Sequence, residues 1–412
     1  MFTRLSHSWQ ILALIILAVF TGLTAGNAYL IQRFPLGSGF SKPWSGTQTF
    51  IKGESPYNPA PNSQTLPAAG ERLTRPASEG KFFLFPLYAV IIFAPFSLVT
   101  DYTLACALWL SLLELALGLI IIMTARLIEW NPSHWLYGVY VLFGLLWYSS
   151  VQPLSDGSAL ILSVFFIIAS LTALRNNFDE LAAMLLALAT ITPTLTWLFC
   201  LYVFLWTFSK RRWRFTIWFL SSMFILLALC FIYLPDWWVQ ALREAYLFFQ
   251  NGKLQFPAPL ITQMPGIWEQ RLSWILTLAL GLVLLVEWRA SMRSDDFLWF
   301  IWTCCLTLVA ANWLGLRINP VNYLILFLPL ILILALFEER LGQKGRLVSV
   351  GIMVIILAVF WGMTFLSVKG DYQKLLVIPV NIPFPLVILA ALYWIRWWVI
   401  HPRQYASLSE RY

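Results

Sequence analysis

The sequence predicts an all-α fold, a polytopic bundle of membrane helices, and three observations carry that prediction. Of the 412 residues, 60% are hydrophobic and only 11% charged, where a soluble domain carries about a quarter charged. Apolar stretches of roughly 17 to 25 residues recur along the chain, each long enough to cross about 30 Å of hydrocarbon as a helix. Trp and Tyr number 22 and 15. Aromatic clusters such as Trp237-Trp238 and Trp394 with Trp397-Trp398 fall near the ends of those stretches, where amphipathic rings suit the membrane–water boundary.

The same composition excludes several classes of function. A net charge of +8 in an aqueous protein suggests nucleic acid. In a membrane chain Lys and Arg mark cytoplasmic connectors and meet anionic head groups, so the expected partner is the lipid bilayer and not nucleic acid. Cys106, Cys200, Cys230, Cys304 and Cys305 lie inside apolar runs without ligand spacing, and His7, His134 and His401 are far apart. Neither a disulfide framework nor a metal is expected. No nucleotide-binding glycine motif stands in the sequence, and no cofactor is expected.

Taken in order, residues 9–31 form the first transmembrane helix, too long for the core of a signal peptide and read as a retained anchor. Arg4 before it places the N-terminus in the cytoplasm. Residues 33–81 then form a large first extracytoplasmic loop, with an amphipathic piece at 43–53 and a turn at Glu54-Ser55-Pro56-Tyr57-Asn58-Pro59. Basic residues outnumber acids in it, as they would where a loop meets an anionic ligand or head group.

Residues 82–400 hold the remaining helices. The stretch 82–99 is interrupted by Pro86 and Pro95 and reads as a short span or a re-entrant piece. Spans follow near 102–127, 134–149 and 158–174. The stretch 181–208 is broken at Thr192-Pro193. It is either one kinked helix or two half-helices meeting at a tip inside the membrane, a backbone tolerated only against protein or a wet cavity. Lys210-Arg211-Arg212-Trp213-Arg214 is the strongest cytoplasmic marker. Beyond it come spans near 215–234, 272–287, 298–314, 321–337, 347–368 and 378–400, with an external segment at 235–270 and a cytoplasmic tail at 401–412. The expectation is a single domain, 1–412, of about twelve spans with both ends cytoplasmic.

Polar groups at membrane depth cost several kcal/mol unless paired or hydrated, so they are the first candidates for function. Glu114 is a lone carboxyl inside an apolar run, and a bond to a neighbouring helix explains it as well as a functional role. Gln152-Pro153-Leu154-Ser155-Asp156-Gly157-Ser158 sets an acid, a turn glycine and hydroxyls between two spans, or is an ordinary connector. Thr192-Pro193-Thr194 either lines a cavity or caps a proline kink. Arg317 opens a span on the external side, and its planar fork suits a phosphate; snorkelling to head groups is the plainer alternative.

One succession of short motifs is specific as a set: Gly39-Phe40, Trp44, Gly46-Thr47, Gly53, Pro56-Tyr57, Phe85-Pro86-Leu87-Tyr88, Trp109, Gly157, Asp179-Glu180-Leu181-Ala182, Ala189-Thr190-Ile191-Thr192-Pro193, Arg211-Arg212-Trp213-Arg214, Leu234-Pro235-Asp236-Trp237, and Arg317 with Asn322-Tyr323. In order and spacing it resembles the GT-C superfamily of membrane glycosyltransferases, and within it glycosyltransferase family 87. The resemblance implies an inverting transferase in the plasma membrane, with its active face extracytoplasmic. It implies a polyprenyl-phosphate-linked sugar donor, by family mannose, and a lipid or glycan acceptor. An acidic general base would come from the first external loop.

Three positions depart from the family's pattern. Gly39 stands where the loop acid precedes Phe, Thr192 where a lysine precedes the buried proline, and small residues including Ser158 replace a polar amide near Gly157. Catalysis then has to recruit Glu54, placed first because it lies in the loop, or Asp156. Arg317 is the candidate for the donor phosphate. Trp44 and Tyr57 are placed to flank the sugar or prenyl chain, and Asn322, Tyr323 and Thr192 complete the expected substrate contacts. The alternative is a relative that has kept the fold and lost the reaction, binding a lipid-linked ligand or serving as a structural membrane subunit. A secondary transporter is a third reading, set back by the lack of internal repeats.

Overall fold

The computed structural model describes residues 2–57, 83–250, 267–314, 320–367 and 383–400, and among them there are helices and no strand. The long helices are α1 (Phe2–Arg33), α4 (Tyr102–Leu127), α10 (Trp213–Tyr233), α12 (Ile267–Arg293), α15 (Gln343–Ser367) and α16 (Pro383–Ile400). Between them stand α2 (Ser38–Ile51), α3 (Val90–Ser97), α5 (His134–Leu146), α6 (Tyr148–Asp156), α7 (Leu160–Arg175), α8 (Asp179–Ala189), α9 (Pro193–Ser209), α11 (Trp237–Gln250), α13 (Phe297–Leu314) and α14 (Phe327–Leu341). Two 3-10 turns, Leu87–Ala89 and Pro320–Leu326, lead into α3 and α14.

Among the described residues, 5 helices are long and apolar enough to cross a membrane: Leu14–Arg33, Tyr102–Leu127, Trp213–Tyr233, Gln343–Leu366 and Pro383–Ile400. Other apolar helices, including α5, α7 and α9, are shorter, at 10–17 residues. The expected count of about twelve full spans therefore resolves into long spans and shorter helices packed among them.

Polar contacts gather many helix ends on one face. Arg175 at the end of α7 bonds the Leu127 carbonyl at the end of α4 and pairs with Glu129. Arg212, just before α10, pairs with Asp179 at the start of α8 at 3.1 Å and donates to the Leu174 carbonyl at 3.1 Å. Lys210, just after α9, pairs with Asp295 between α12 and α13 at 2.6 Å. Asp295 is held below the usual carboxylate range by the bond from Lys210. At the same face Glu338 of α14 accepts from Trp130 Nε1 at 2.7 Å and from Arg346 of α15 at 2.8 Å. This is the basic end of the bundle.

These pairings decide between the two readings of 181–208. The start of α8 and the end of α9 both lie at the basic end, so the two helices form a hairpin. Its 11-residue first arm lifts the tip by about 16 Å at 1.5 Å per residue. Thr190 at the tip meets Met223 Sδ at 3.9 Å, a similar height along α10. Pro193, in the first turn of α9, lacks only an N–H that has no intrahelical partner there. A cysteine-reactive membrane-impermeant label should reach Asp179→Cys and Ser209→Cys from the same side of the membrane. A single crossing helix would place the two on opposite sides.

The first helix, α1, packs along α4. Asn27, buried, donates from Nδ2 to Glu114 Oε2 at 3.1 Å and to Ser111 Oγ at 3.1 Å, and Thr24 Oγ1 donates to Ser111 Oγ at 3.2 Å. Glu114 thus belongs, with Ser111, Asn27 and Thr24, to a polar cluster that ties α1 to α4. Replacing Asn27 by Ala leaves the carboxyl without this partner and should lower stability by about 1–3 kcal/mol, read as a drop in the thermal unfolding midpoint in detergent.

Candidate functional site

At the end opposite the basic face, α2 lies locked against α6. Gly37 adopts φ +77, and a Cβ there would sit 2.1 Å from Cys106 Sγ; only glycine fits. Its N–H donates to the Ser155 carbonyl at 2.8 Å, and Tyr102 OH donates to the Gly37 carbonyl at 2.8 Å. Phe40 is fully buried and stacks on Trp109, ring centroids 5.1 Å apart. Trp109 Nε1 in turn donates to the Gly157 carbonyl at 2.8 Å. The motif residues Gly39-Phe40, Trp109 and Gly157 are therefore one junction of three elements.

Asp156 ends α6 inside this junction. A Cβ built on Gly39 would lie 3.8 Å from the Asp156 Cβ and 2.7 Å from its backbone oxygen. The Asp156 side chain is half-buried, and its Oδ2 accepts from Gln152 Nε2 at 3.1 Å. Burial raises its pKa, and the Gln152 bond opposes that shift. Tyr148, Gln152 and Asp156 follow at i, i+4 and i+8, one polar stripe on α6. Tyr148 stacks on Phe360 of α15 with centroids 6.2 Å apart.

The other expected residues divide into groups. Asn322 and Tyr323 lie on the 3-10 turn that packs against α6. Tyr323 is fully buried, 5.4 Å from the Phe384 ring and 6.3 Å from Phe360. Thr192 stands before α9 and donates to Ser163 Oγ of α7 at 2.8 Å, and its neighbour Thr190 meets Tyr88 OH at 2.9 Å. Arg317 lies outside the described residues.

Trp44 donates from Nε1 to the Val99 carbonyl at 3.3 Å and packs edge-on against Tyr102. Tyr57 is buried, with its hydroxyl donated to the Phe85 carbonyl at 2.8 Å and its pKa pushed up by burial. The two rings tie residues 44 and 57 to the segments that flank α3. Glu54 follows the far end of α2, exposed, with its N–H on the Thr49 carbonyl at 3.1 Å. It stands roughly 20 Å along the helix from Gly39, so Glu54 and Asp156 cannot serve one reacting centre together. Beside Glu54, Ser55 donates to Gln240 of α11.

Sequence reasoning missed Tyr148, whose membership of the stripe depends on 148–156 being a helix of its own. It also missed a set of buried polar atoms without hydrogen-bond partners: Ser149 Oγ and Ser150 Oγ on α6, and Asn312 Oδ1 near the end of α13. Both helices pack on the 3-10 turn that carries Asn322. No signal in the sequence distinguishes such groups from satisfied core hydroxyls. Among the described residues no group of His, Cys, Asp and Glu is arranged to hold a metal.

Fold and site together define an integral membrane protein with a carboxylate and an amide on a short helix, clasped to α2. A profile of glycosyltransferase family 87 matches residues 83–293, just over half the chain. The chain belongs to glycosyltransferase family 87, and membership indicates a glycosyltransferase. The match includes Asp156 and the α8–α9 hairpin. No curated protein and no solved structure matches the chain.

Proposed function

We propose that the protein transfers a hexose, mannose by family likeness, from a polyprenyl-phosphate donor to an extracytoplasmic lipid or glycan acceptor, with Asp156 as the general base. The observation that carries this reading is the contact between Asp156 and Gly39. The carboxylate missing from α2 has a neighbour on α6 whose Cβ stands 3.8 Å from where its own Cβ would be.

Asp156 takes the proton from an acceptor hydroxyl as that oxygen attacks the anomeric carbon. The bond from that carbon to the phosphate oxygen breaks, the configuration inverts, and polyprenyl phosphate leaves with the negative charge. A cation or hydrogen-bond donors must receive it, and Arg317 precedes by three residues the 3-10 turn packed on α6. The positive-inside tendency assigns the basic end to the cytoplasm of a plasma-membrane protein and the α2 end to the outside.

Incubating reconstituted protein with radiolabelled polyprenyl-phosphate mannose, and separately with the glucose form, tests the proposal. Label should pass to a membrane lipid or added glycan from one donor. Binding of donor with no transfer from either would favour the second reading, a relative that keeps the fold without the reaction. That reading draws on Gly39, and on Thr192, whose neutral hydroxyl bonds Ser163 where the family has a cation.

A further inference from the structure

On the outer wall of the bundle, between α9 and α12, runs a groove of about 620 Å³, within the range of roughly 300–1,000 Å³ usual for small-ligand sites. Leu205, Leu282 and Val286 line its length, and Ser209, Arg289 and Arg293 stand at the basic end. Arg289 and Arg293 are four residues apart on one face of α12 and exposed.

Several other basic residues at this end are paired: Lys210 with Asp295, Arg212 with Asp179, Arg175 with Glu129, and Arg396 of α16 with Glu287 at 3.1 Å. Arg289 and Arg293 form no ion pair with a described residue. Two uncompensated guanidinium groups and a hydroxyl thus close one end of an apolar channel. Lone arginines at a helix end ordinarily snorkel into head groups at large. Here the channel gives one lipid a fixed place for its chain, and the pair of forks gives its phosphate bidentate donors.

We propose that this groove holds one anionic phospholipid of the leaflet at the basic end, its phosphate between Arg289, Arg293 and Ser209 and one acyl chain along Leu205, Leu282 and Val286. The assignment is independent of the transfer reaction, since it lies at the opposite end of the bundle from Asp156.

Native mass spectrometry of the delipidated full chain, titrated with phosphatidylglycerol and with phosphatidylcholine, tests it. The parent should bind one phosphatidylglycerol ahead of phosphatidylcholine, and R289Q/R293Q should bind it about thirtyfold more weakly. Leu285→Trp, which fills the groove without altering charge, should weaken both lipids. Each change is on an exposed side chain, and thermal unfolding confirms that the variants are folded. Equal binding of the two lipids by the parent, or undiminished phosphatidylglycerol binding by R289Q/R293Q, overturns the proposal. So does displacement by an equal concentration of polyprenyl phosphate, which would make the groove a donor site, or a protein dimer that occupies it in lipid-free detergent.

Discussion

Asp156→Asn is expected to lower sugar transfer by about 10²- to 10⁴-fold, the usual range for removing a general base, while Glu54→Gln leaves it within about twofold. The asymmetry follows from placement. Asp156 is half-buried beside Gly39, with Gln152 orienting its carboxylate. Glu54 is exposed at the far end of α2.

The pH dependence carries a second signature of the same group. Burial raises the Asp156 pKa, and a base works only when ionised, so kcat/KM should fall with acid along a limb lying above the ordinary aspartate range. Because the folded pKa is the higher one, the folded state binds more protons between the ordinary and the raised value. Stability is then fully present below the ordinary pKa and declines as pH rises through the raised one. Asn removes that decline. At neutral pH the variant should unfold at or above the parent temperature while lacking activity, the opposite of what a merely structural residue gives. Transfer assays across pH, paired with thermal unfolding in detergent, check both. Full activity in both Asp156→Asn and Glu54→Gln sinks the assignment of a base to either.

How much of this was legible in the sequence depended on whether one segment or two decided it. The span Tyr102–Leu127 was legible from its long apolar run, and the structure adds the cap that starts it, Asp101 accepting from Thr103 N–H at 3.0 Å. The break at Thr192-Pro193 was legible as two alternatives, and only the pairing of Arg212 with Asp179 chose the hairpin.

The separation of α5 from α6 was not legible, because it occurs inside an apolar run. Trp147 takes an extended backbone, φ −60 and ψ 133, and is wholly buried against Phe143 and Phe327. Tertiary packing there overrides local preference. Nor were the partners of Trp44 and Tyr57 legible, the rings expected to flank a ligand: their polar atoms bond the Val99 and Phe85 carbonyls. Above all, Gly39 and Asp156 are remote in sequence. A missing acid looked like a loss because nothing local shows which residue fills the space it leaves.

Gly39→Asp, which returns the family's acid to its place, is expected to impair the protein. The new Cβ would meet the Asp156 backbone oxygen at 2.7 Å, and a backbone carbonyl cannot swing aside as a flexible side chain can. Nor can α2 withdraw cheaply. Gly37 N–H is tied to Ser155, the Gly37 carbonyl to Tyr102, and Phe40 is wedged on Trp109. Overpacking of this kind costs about 1–3 kcal/mol. A second carboxylate so close to Asp156 also favours protonation of one of the two, which removes the base from the pH range where it works. Gly39→Asp should therefore unfold at lower temperature than the parent and retain less than about a tenth of its transfer activity. In the Asp156→Asn background it should restore none. Parental turnover by the G39D/D156N protein would instead show that α2 yields and that the carboxylate can work from either helix.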